Sequence, residues 1–282
     1  MKTRIEKAQI LLDALPYIRK YAGKTFVIKY GGAAQINEDL KDKFAQDIAL
    51  FNLVGIKLVV VHGGGKKITS LLDKLQINSE FVDGLRVTTK ESIEIIEMVL
   101  SGNINKEITT RFNRYGTKAI GITGKDANFF IATPKDNGKY GLVGNIQKIN
   151  SQVIEKLMNE SFVPVVAPIA ATEDIDGIGL NINADLVASK IAGTIKAEKI
   201  IFMTDTPGVL DEDNELLSTL NHKEIKTLVE NNVINGGMLP KVEACLEAIN
   251  TGCKKAHIID GRIEHSILLE VFTSDGIGTV IK

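Results

Sequence analysis

Residues 25–32 read TFVIKYGG, residues 57–66 read KLVVVHGGGK and residues 199–208 read KIIFMTDTPG. In each stretch a run of apolar residues, typical of a β-strand buried on both faces, leads to glycine. Ligands of an open α/β sheet bind beyond the carboxyl ends of its strands, where glycine lets backbone N–H groups approach an anion closely. One such loop is typical of an ordinary tight turn. Three of them, the first preceded by Lys29, predict a site for phosphates and carboxylates.

Short β-rich runs alternate with longer helical patterns along the rest of the chain. This alternation predicts an α/β fold with an open, mainly parallel central sheet and helices on both faces. The predicted strands are 25–30, 57–62, 118–123, 163–167, 199–204 and 255–259, and the predicted helices are 38–54, 66–75, 91–114, 184–194 and 238–251. Residues 129–149, with Asn137-Gly138, predict antiparallel hairpins, and residues 171–183 predict a loop or small hairpin.

The first 24 residues stand apart from this alternation and are interpreted as an N-terminal helical arm. Their apolar residues recur at helical spacing on one stripe, and Pro16 removes one backbone hydrogen bond. The members of the stripe are Ile5, Ala8, Leu12, Leu15 and Ile18. Such a helix packs either on its own domain or on another subunit, and the sequence leaves both open. A soft boundary near residue 180 divides the rest, within one continuous sheet, into residues 25–180 and 181–282.

The composition restricts the possible partners. The 282 residues include 34 Lys and Arg against 35 Asp and Glu, a net charge of -1. This balance gives no support for a nucleic-acid or membrane partner held by overall charge. Cys245 and Cys253 lack metal-ligand spacing and are expected to be reduced and buried. No apolar run approaches the ~20 residues that span a bilayer, and residues 1–7 lack the apolar centre of a signal peptide. We therefore expect a cytoplasmic protein (or one of the plastid stroma, if plastid-encoded).

Familiar nucleotide and metal motifs are missing. Gly23-Lys24-Thr25 resembles the end of a P-loop, but position 18 is Ile and the segment leads into a strand. Gly276-Ile277-Gly278 is expected to form a turn before the last strand. His62 precedes three glycines, and we interpret it as a structural hydrogen-bonding residue. We assign no protein metal ligand.

Five short motifs follow one another from about residue 24 to the C-terminus. They are Lys29-Tyr-Gly-Gly, His62-Gly-Gly-Gly, Gly84-Leu-Arg-Val-Thr88, Asn181-Ile-Asn-Ala-Asp185 and Gly236-Gly-Met-Leu-Pro-Lys241. Each is modest alone, but in this order they are specific, and by them the chain resembles the amino acid kinase family. Within that family it is similar to the branch that uses ATP to phosphorylate the γ-carboxylate of N-acetyl-L-glutamate, the second step of arginine biosynthesis. The resemblance implies an amino acid kinase-like α/β/α sandwich.

The chemistry of such a transfer brings two anions together. The acceptor carboxylate is already ionised near neutral pH, so the reaction needs charge compensation rather than a general base. By resemblance, Lys29 and Lys241 stabilise the transition state from opposite sides, and Asp185 holds the two ammonium groups in place.

The resemblance also assigns the binding of the two substrates, with the acceptor on residues 25–180 and ATP on residues 181–282. Arg86 would bind the α-carboxylate through its planar guanidinium. Gly64 and Gly65 would bind the acceptor through backbone N–H groups, Asn181 would contact the acetylated amino acid, and Asn183 would support it. Loop formation and capping of the helix at 184 are the other interpretation of Asn181 and Asn183, and both roles can coexist. The residues implied at ATP, whose phosphates would hold Mg²⁺, are Gly31, Gly32, Asp205, Thr206, Gly208, Gly236 and Met238.

Regulation is implied by the two ends of the chain. Tyr17, near the end of the N-terminal helix, and the tail with Glu270 and Gly276 resemble the arginine-inhibited, hexameric branch of the family. A carboxylate such as Glu270 could pair with the guanidinium of L-arginine. The resemblance implies a homo-oligomer, with a hexamer favoured and a dimer possible, and a PII signalling protein as a possible partner.

Two other functions remain open on the sequence alone. One is a kinase of the same fold that acts on aspartate, glutamate, carbamate or UMP, against which Arg86 and the Asn181–Asp185 motif favour N-acetyl-L-glutamate. The other is a catalytically silent amino-acid sensor, against which the presence of Lys29, Asp185 and Lys241 argues. Fold alone does not decide between them.

Overall fold

The computed structural model describes residues 2–173 and 177–282, and within them the chain forms fourteen strands. Their bounds are β1 Thr25–Tyr30, β2 Lys57–His62, β3 Phe81–Val82, β4 Leu85–Arg86, β5 Ala119–Thr123, β6 Phe130–Pro134, β7 Gly144–Ile149, β8 Val163–Ala167, β9 Ile169–Ala170, β10 Leu180–Asn181, β11 Lys199–Thr204, β12 Thr219–Leu220, β13 Ala256–Asp260 and β14 Thr279–Ile281. The strands predicted at 25–30, 57–62, 163–167 and 199–204 have these bounds, and those predicted at 118–123 and 255–259 differ from β5 and β13 by one residue.

Eight strands form one central sheet in the order β12-β14-β13-β11-β1-β2-β8-β5. Every neighbouring pair is parallel except β13 with β14. The three glycine-ended strands, β11, β1 and β2, lie side by side, and Lys29 is level with Phe202 on one side and Val61 on the other. Because parallel strands end at the same edge of a sheet, the three glycine loops meet at one edge, as predicted.

Helices cover both faces of this sheet. They are α1 Lys2–Tyr21, α2 Glu38–Leu53, α3 Gly65–Lys74, α4 Lys90–Glu97, α5 Asn105–Arg114, α6 Ser151–Asn159, α7 Ala184–Thr194, α8 His222–Glu230, α9 Leu239–Asn250 and α10 Ser266–Phe272. Successive residues of each central strand enter opposite cores, because side chains alternate across a strand. On β1, Val27 enters the core that packs α6 to α9, whereas Phe26 and Ile28 enter the core that packs α2, α3, α5 and α10. The predicted α/β/α layering is thereby confirmed.

The single helix predicted at 91–114 is wrong in detail. The structure has α4, then a π-helical segment Met98–Ile104, then α5. Helical periodicity in the sequence does not distinguish a π-helical turn, which contains one more residue, from an α-helical one. The short helices α6, α8 and α10 were not predicted either, since each spans only two to three turns.

The two irregular stretches are hairpins. β6 pairs antiparallel with β7, and the predicted Asn137-Gly138 turn lies in the 3₁₀ segment Lys135–Gly138 between them. β9 pairs antiparallel with β10 and brackets most of the predicted 171–183 loop. Residues 174–176 of that loop lie outside the described part of the chain.

The N-terminal helix leaves apolar side chains in solvent. Ile10, Leu11 and Leu12 are 67%, 73% and 59% exposed, and Ile5 is 64% exposed. Among the described side chains of α1, Tyr17 is half-buried and Tyr21 is buried against the domain. Of the two interpretations of this helix, packing on its own domain therefore holds for its C-terminal end, and it leaves Ile5 and Leu12 of the stripe exposed.

Two further expectations concern the cysteines and the membrane. Cys245 and Cys253 are unbonded and buried, as predicted, and burial raises the pKa of the Cys253 thiol to about 11. Among the described residues no helix is both long and apolar enough to cross a bilayer.

Candidate active site

Two lysines distant along the chain converge on one carboxylate. Lys29 lies near the end of β1, Asp185 in the first turn of α7 and Lys241 in the first turn of α9. Lys29 Nζ lies 3.0 Å from Asp185 Oδ1, and Lys241 Nζ lies 3.4 Å from Asp185 Oδ2. The three side chains are 13%, 22% and 14% exposed for Lys29, Lys241 and Asp185, so their charges are only partly screened by water. The predicted catalytic residues therefore share one place at the carboxyl edge of the sheet.

Asp185 is held as an anion in this place. Burial alone would raise the pKa of its carboxyl group, but the charges of Lys29 and Lys241 outweigh burial and lower the pKa below its usual value. Asn183 caps α7, because its side-chain oxygen accepts from the backbone N–H groups of Asp185 and Leu186. The cap fixes the first turn of the helix and with it the carboxylate. The capping alternative for Asn183 is thus what the structure shows.

Gly31 and Gly32 occupy positions where a side chain has no room. A Cβ on Gly31 would lie 2.7 Å from Lys29 Nζ, and a Cβ on Gly32 would collide with Asp205 Oδ1. Asp205 in turn accepts a hydrogen bond of 2.5 Å from the backbone N–H of Ala33. The glycine loop after β1 and the loop after β11 are therefore joined across the site beside the lysine pair.

The loop after β2 approaches the same place from the other side. A Cβ on Gly63 would lie 3.9 Å from that of Ala184, the residue before Asp185. The carbonyl of Gly65 accepts from Arg86 Nη2 at 3.2 Å. Gly64 and Gly65 thus lie between the lysine pair and Arg86, as an acceptor bound at both ends would require.

Arg86 is a buried cation. It is 8% exposed, its Nη2 also donates to Thr69 Oγ1 at 2.7 Å, and its Nη1 donates to Ser79 Oγ. Burial lowers the pKa of the guanidinium, and within residues 2–173 and 177–282 no carboxylate forms an ion pair with it. Asp73 acts on the guanidinium through its charge but makes no direct ion pair with it, and a buried charge without a direct ion pair is costly. The group is therefore suited to bind the carboxylate of a ligand.

Asn181 reaches this region from β10. Its side-chain Nδ2 donates to Oγ1 of Thr88 at 3.1 Å, and Thr88 lies two residues after Arg86 in the chain. The backbone N–H of Asn181 donates to the carbonyl oxygen of Leu142. Gly141 makes the close approach possible, because its φ is 66° and a Cβ there would collide with the carbonyl oxygen of Thr88. Asn181 is thus placed near Arg86 by the β6–β7 hairpin.

The other residues predicted at ATP occupy loops after β11 and before α9. Thr206 is exposed beside Asp205, and Gly236 is exposed with a φ of 51°. Met238 is half-buried against the core, three residues before Lys241. Gly208 is buried, and a Cβ there would lie 2.5 Å from Thr279 Oγ1, so this glycine packs against β14 rather than facing an open cleft.

A cavity of 580 Å³ opens from the glycine loops into the domain. Its lining includes Lys29, Gly32 and Gly64 of the glycine loops and Ile108 and Phe112 of α5. Its size is that of a small-molecule site. No group of three or more His, Cys, Asp or Glu side chains able to hold a metal ion occurs among the described residues.

The residues predicted for regulation lie on α10, in the loop after it and on α1. Glu270 is buried, its Oε1 lies 2.6 Å from His257 Nδ1, and its Oε2 accepts from the backbone N–H groups of Ile277 and Gly278. A Cβ on Gly276 would lie 2.8 Å from the same Oε2. Tyr17 packs half-buried beside the core from α1. The structure thus places Gly276 against Glu270, whose two oxygens are both engaged within the chain.

Several supporting residues were not predicted from the sequence. Thr69 and Ser79 hold Arg86, Gln35 Nε2 donates to the Gly63 carbonyl at 3.3 Å, and Asn105 contacts His62. Polar residues such as Thr69 and Asn105 occur in helical patterns whose exposed faces are also polar. Nothing in the sequence shows that Thr69 contacts Arg86 or that Asn105 is buried.

Comparison with known proteins identifies relatives of this chain. The model of the amino acid kinase family matches residues 24–260. The chain is 59% identical over 281 residues to the acetylglutamate kinase of a Nitratiruptor species, covering 100% of this chain and 99% of that relative. It is 57% identical over 282 residues to the acetylglutamate kinase of Campylobacter curvus, covering both completely, at 100% each.

A solved structure shares the fold. The N-acetylglutamate synthase from Neisseria gonorrhoeae, complexed with coenzyme A and N-acetyl-glutamate, matches with a TM-score of 0.85 and 24% identity. The match covers 97% of this chain and 63% of that chain. At this identity the likeness concerns the fold alone.

Proposed function

The chain belongs to the amino acid kinase family, and within it to the acetylglutamate kinases, and from that membership we propose that it transfers the γ-phosphoryl group of ATP to the γ-carboxylate of N-acetyl-L-glutamate. This is the second step of arginine biosynthesis. One observation carries the proposal on the structural side: the ammonium groups of Lys29 and Lys241 lie on the two oxygens of one buried carboxylate, Asp185.

The reaction forms a bond between a γ-carboxylate oxygen and the γ-phosphorus and breaks the bond from that phosphorus to the β,γ-bridging oxygen. The products are an acyl phosphate and ADP. No proton leaves the acceptor, so the site needs no base, and the buried neutral His62 is not required as one. Negative charge on the transferring group is compensated by Lys29 and Lys241, which Asp185 holds in place before the substrates bind.

The acceptor fits the part of the site formed by residues 25–180. In this proposal Arg86 binds its α-carboxylate, Asn181 contacts the acetylated amino acid, and the N–H groups of Gly64 and Gly65 face its γ-carboxylate. The absence of a direct ion pair for Arg86 among the described residues, where only the more distant Asp73 acts on its charge, supports the first assignment.

ATP fits the loops of residues 181–282 together with the loop after β1. The proposed contacts are Gly31, Gly32, Asp205, Thr206, Gly208, Gly236 and Met238, and the buried Gly208 is less accessible than the exposed Thr206 and Gly236. Mg²⁺ would neutralise the β- and γ-phosphates of bound ATP, which would hold it without a cluster of protein ligands. An ATP-consuming reaction of this kind is proposed to take place in the cytoplasm.

A panel of acceptors tests the proposal. With ATP and Mg²⁺ we expect N-acetyl-L-glutamate to release ADP and form an acyl phosphate that hydroxylamine traps, and we expect far less ADP from L-glutamate, L-aspartate, carbamate or UMP. Carbamate and UMP offer no α-carboxylate to Arg86, and the free amino acids bring an ammonium group next to its charge. Faster turnover of one of these other acceptors would make the chain a different kinase. No turnover with any acceptor of the panel, N-acetyl-L-glutamate included, would favour a silent sensor.

Regulation and assembly form the finer part of the proposal. We infer a homo-oligomer because the N-terminal helix exposes Ile10, Leu11 and Leu12. The family resemblance favours a hexamer, with a dimer as the alternative. L-Arginine is the proposed inhibitor, bound near Tyr17, Glu270 and Gly276, and its guanidinium would have to share or displace the present partners of Glu270. A PII signalling protein is a further proposed partner, for which the chain itself offers no observation.

Steady-state rates with added L-arginine check this regulation. We expect millimolar L-arginine to inhibit, and the same concentration of L-lysine, which lacks the planar guanidinium, to have little effect. Unchanged rates with both, together with a dimeric mass in light scattering, would contradict both the inhibition and the hexamer.

A further inference from the structure

A buried histidine and a buried asparagine lie directly beneath the glycine loop after β2. His62 is fully buried, with 0% of its surface exposed, and Asn105 is 1% exposed. Asn105 Nδ2 lies 3.1 Å from His62 Nε2, and His62 Nδ1 lies 3.1 Å from the carbonyl oxygen of Gly63. The pair joins the start of α5 to the loop that is proposed to bind the acceptor.

The hydrogen-bond partners determine the tautomer of His62. Asn105 Nδ2 also donates to the carbonyl oxygen of Val165 at 2.8 Å, and a carbonyl can only accept, so the amide nitrogen of Asn105 faces these two acceptors. His62 Nε2 therefore accepts, and the ring hydrogen resides on Nδ1, which donates to Gly63. Burial lowers the pKa of His62 to about 4, so the ring is neutral near pH 7.

This hydrogen bond fixes the orientation of a peptide group. The carbonyl of Gly63 and the N–H of Gly64 belong to one trans peptide, in which they point in opposite directions. His62 Nδ1 and Gln35 Nε2 both bond the carbonyl of Gly63. The N–H of Gly64 is thereby directed to the opposite side of the loop, and within the described residues it donates no hydrogen bond.

The π-helical segment Met98–Ile104 supports the same loop from below. A Cβ on Gly64 would lie 2.5 Å from Ile104 Cδ1 and 2.7 Å from Leu100 Cδ2, so the segment is packed closely against the glycine backbone. Asn105 follows at once, as the first residue of α5. π-Helical segments recur at functional sites because the extra residue alters which side chains face inward. Here the support of the loop comes from Leu100, Ile104 and Asn105.

We propose that His62 and Asn105 are a positioning pair that holds the Gly63–Gly64 peptide with its N–H toward the γ-carboxylate during phosphoryl transfer. The inference rests on the proposed function, since it gives the acceptor loop its preorganised donor. Neither residue touches the substrate. A donor that is already oriented strengthens its interaction with developing negative charge without a reorganisation cost.

Two amide replacements of His62 separate positioning from packing. In His62→Asn the side-chain nitrogen stands where Nδ1 was and can still donate to Gly63. In His62→Gln the amide reaches the position of Nε2 and keeps the contact with Asn105, but the Gly63 carbonyl loses the donor at Nδ1 and keeps the more distant one of Gln35. Both remove a buried ring, so their melting temperatures should fall together.

We expect His62→Gln to lose about 10²-fold in kcat, the effect of one misplaced transition-state donor, with a smaller change in the KM for N-acetyl-L-glutamate. His62→Asn should retain kcat close to the wild-type value per folded molecule. Equal kcat in the two variants, or a lower kcat in His62→Asn, would overturn the proposal and leave His62 a core residue.

A measurement on the unaltered protein covers the case in which the variants do not fold. The chain has four histidines, and ¹⁵N spectra of the imidazole rings report their tautomers. His62, assigned by replacing the other three one at a time, should show the Nδ1–H form at neutral pH. An Nε2–H form would overturn the positioning pair even if the acceptor assay succeeds, whereas failure of that assay with the expected tautomer would count against the proposed function alone.

Discussion

Replacing Lys29 by methionine is expected to lower kcat for N-acetyl-L-glutamate phosphorylation by about 10²–10³, which is the effect of removing one electrostatic donor from a transition state. Methionine preserves the length and the apolar part of the side chain, so the fold of β1 should survive. The ammonium group acts mainly on charge that develops during transfer, and KM values for both substrates should therefore change less than kcat. Lys241→Met is expected to behave alike, because its amine lies on the other oxygen of the same carboxylate.

The neighbouring strand offers a matched control. Lys57 begins β2 at the opposite edge of the sheet, where its Nζ donates to Asn159 Oδ1 at 2.8 Å. Lys57→Met makes the same chemical change on an adjacent strand but away from the glycine loops, and its kcat should stay near that of the wild type. Coupled-assay rates for the three variants decide the matter. Near-wild-type turnover in both Lys29→Met and Lys241→Met would contradict the assigned roles.

Much of the fold followed from the sequence because its central strands are apolar on both faces. β1, β2 and β11 consist mainly of apolar residues typical of strands buried on both faces. Parallel pairing then requires that their glycine loops share an edge. The π-helical segment Met98–Ile104 could not be predicted in this way. An α-helix and a helix with one wider turn present the same short-range apolar spacing, and the difference is settled by what packs beneath, here Gly64.

The candidate site was predictable to a lesser depth. The position of Lys29 at a strand end follows from the sheet, but its proximity to Lys241 depends on how α7 and α9 pack together, and only the resemblance to a family suggested it. The residues that form hydrogen bonds to the site residues could not be predicted from the sequence. Ser79 and Asn105 contact Arg86 and His62 through side chains whose burial depends on the tertiary structure.

The N-terminal helical arm shows a related limit of prediction from the sequence. An apolar stripe predicts that something covers it, and the described part of one chain half-buries Ile18 but leaves Leu12 exposed. Sequence periodicity gives the face of the helix and not the identity of its partner. That partner is a second subunit in the proposed assembly.

Replacing Asp185 by asparagine should also reduce kcat by about 10² or more, although the residue touches neither substrate in the proposed reaction. The change keeps the size and one oxygen acceptor of the side chain and removes its charge. Lys29 and Lys241 then lose the counter-charge that they share, and two like charges repel each other in a partly buried place. The lysines are expected to move apart, so the preorganisation of both is lost by one substitution.

Asp39 provides a control in which the substitution changes only the charge in the first turn of a capped helix. Asn37 caps α2 by accepting from Asp39 and Leu40, as Asn183 caps α7 by accepting from Asp185 and Leu186. Asp39 is exposed and occupies the same position in the first turn, so Asp39→Asn removes the same favourable charge at a helix N-terminus, about 0.3–1 kcal/mol. Its kcat should not change. If Asp185→Asn and Asp39→Asn both kept wild-type turnover, Asp185 would only supply a favourable charge in the first turn of α7, and the convergence of two lysines on it would have no part in catalysis.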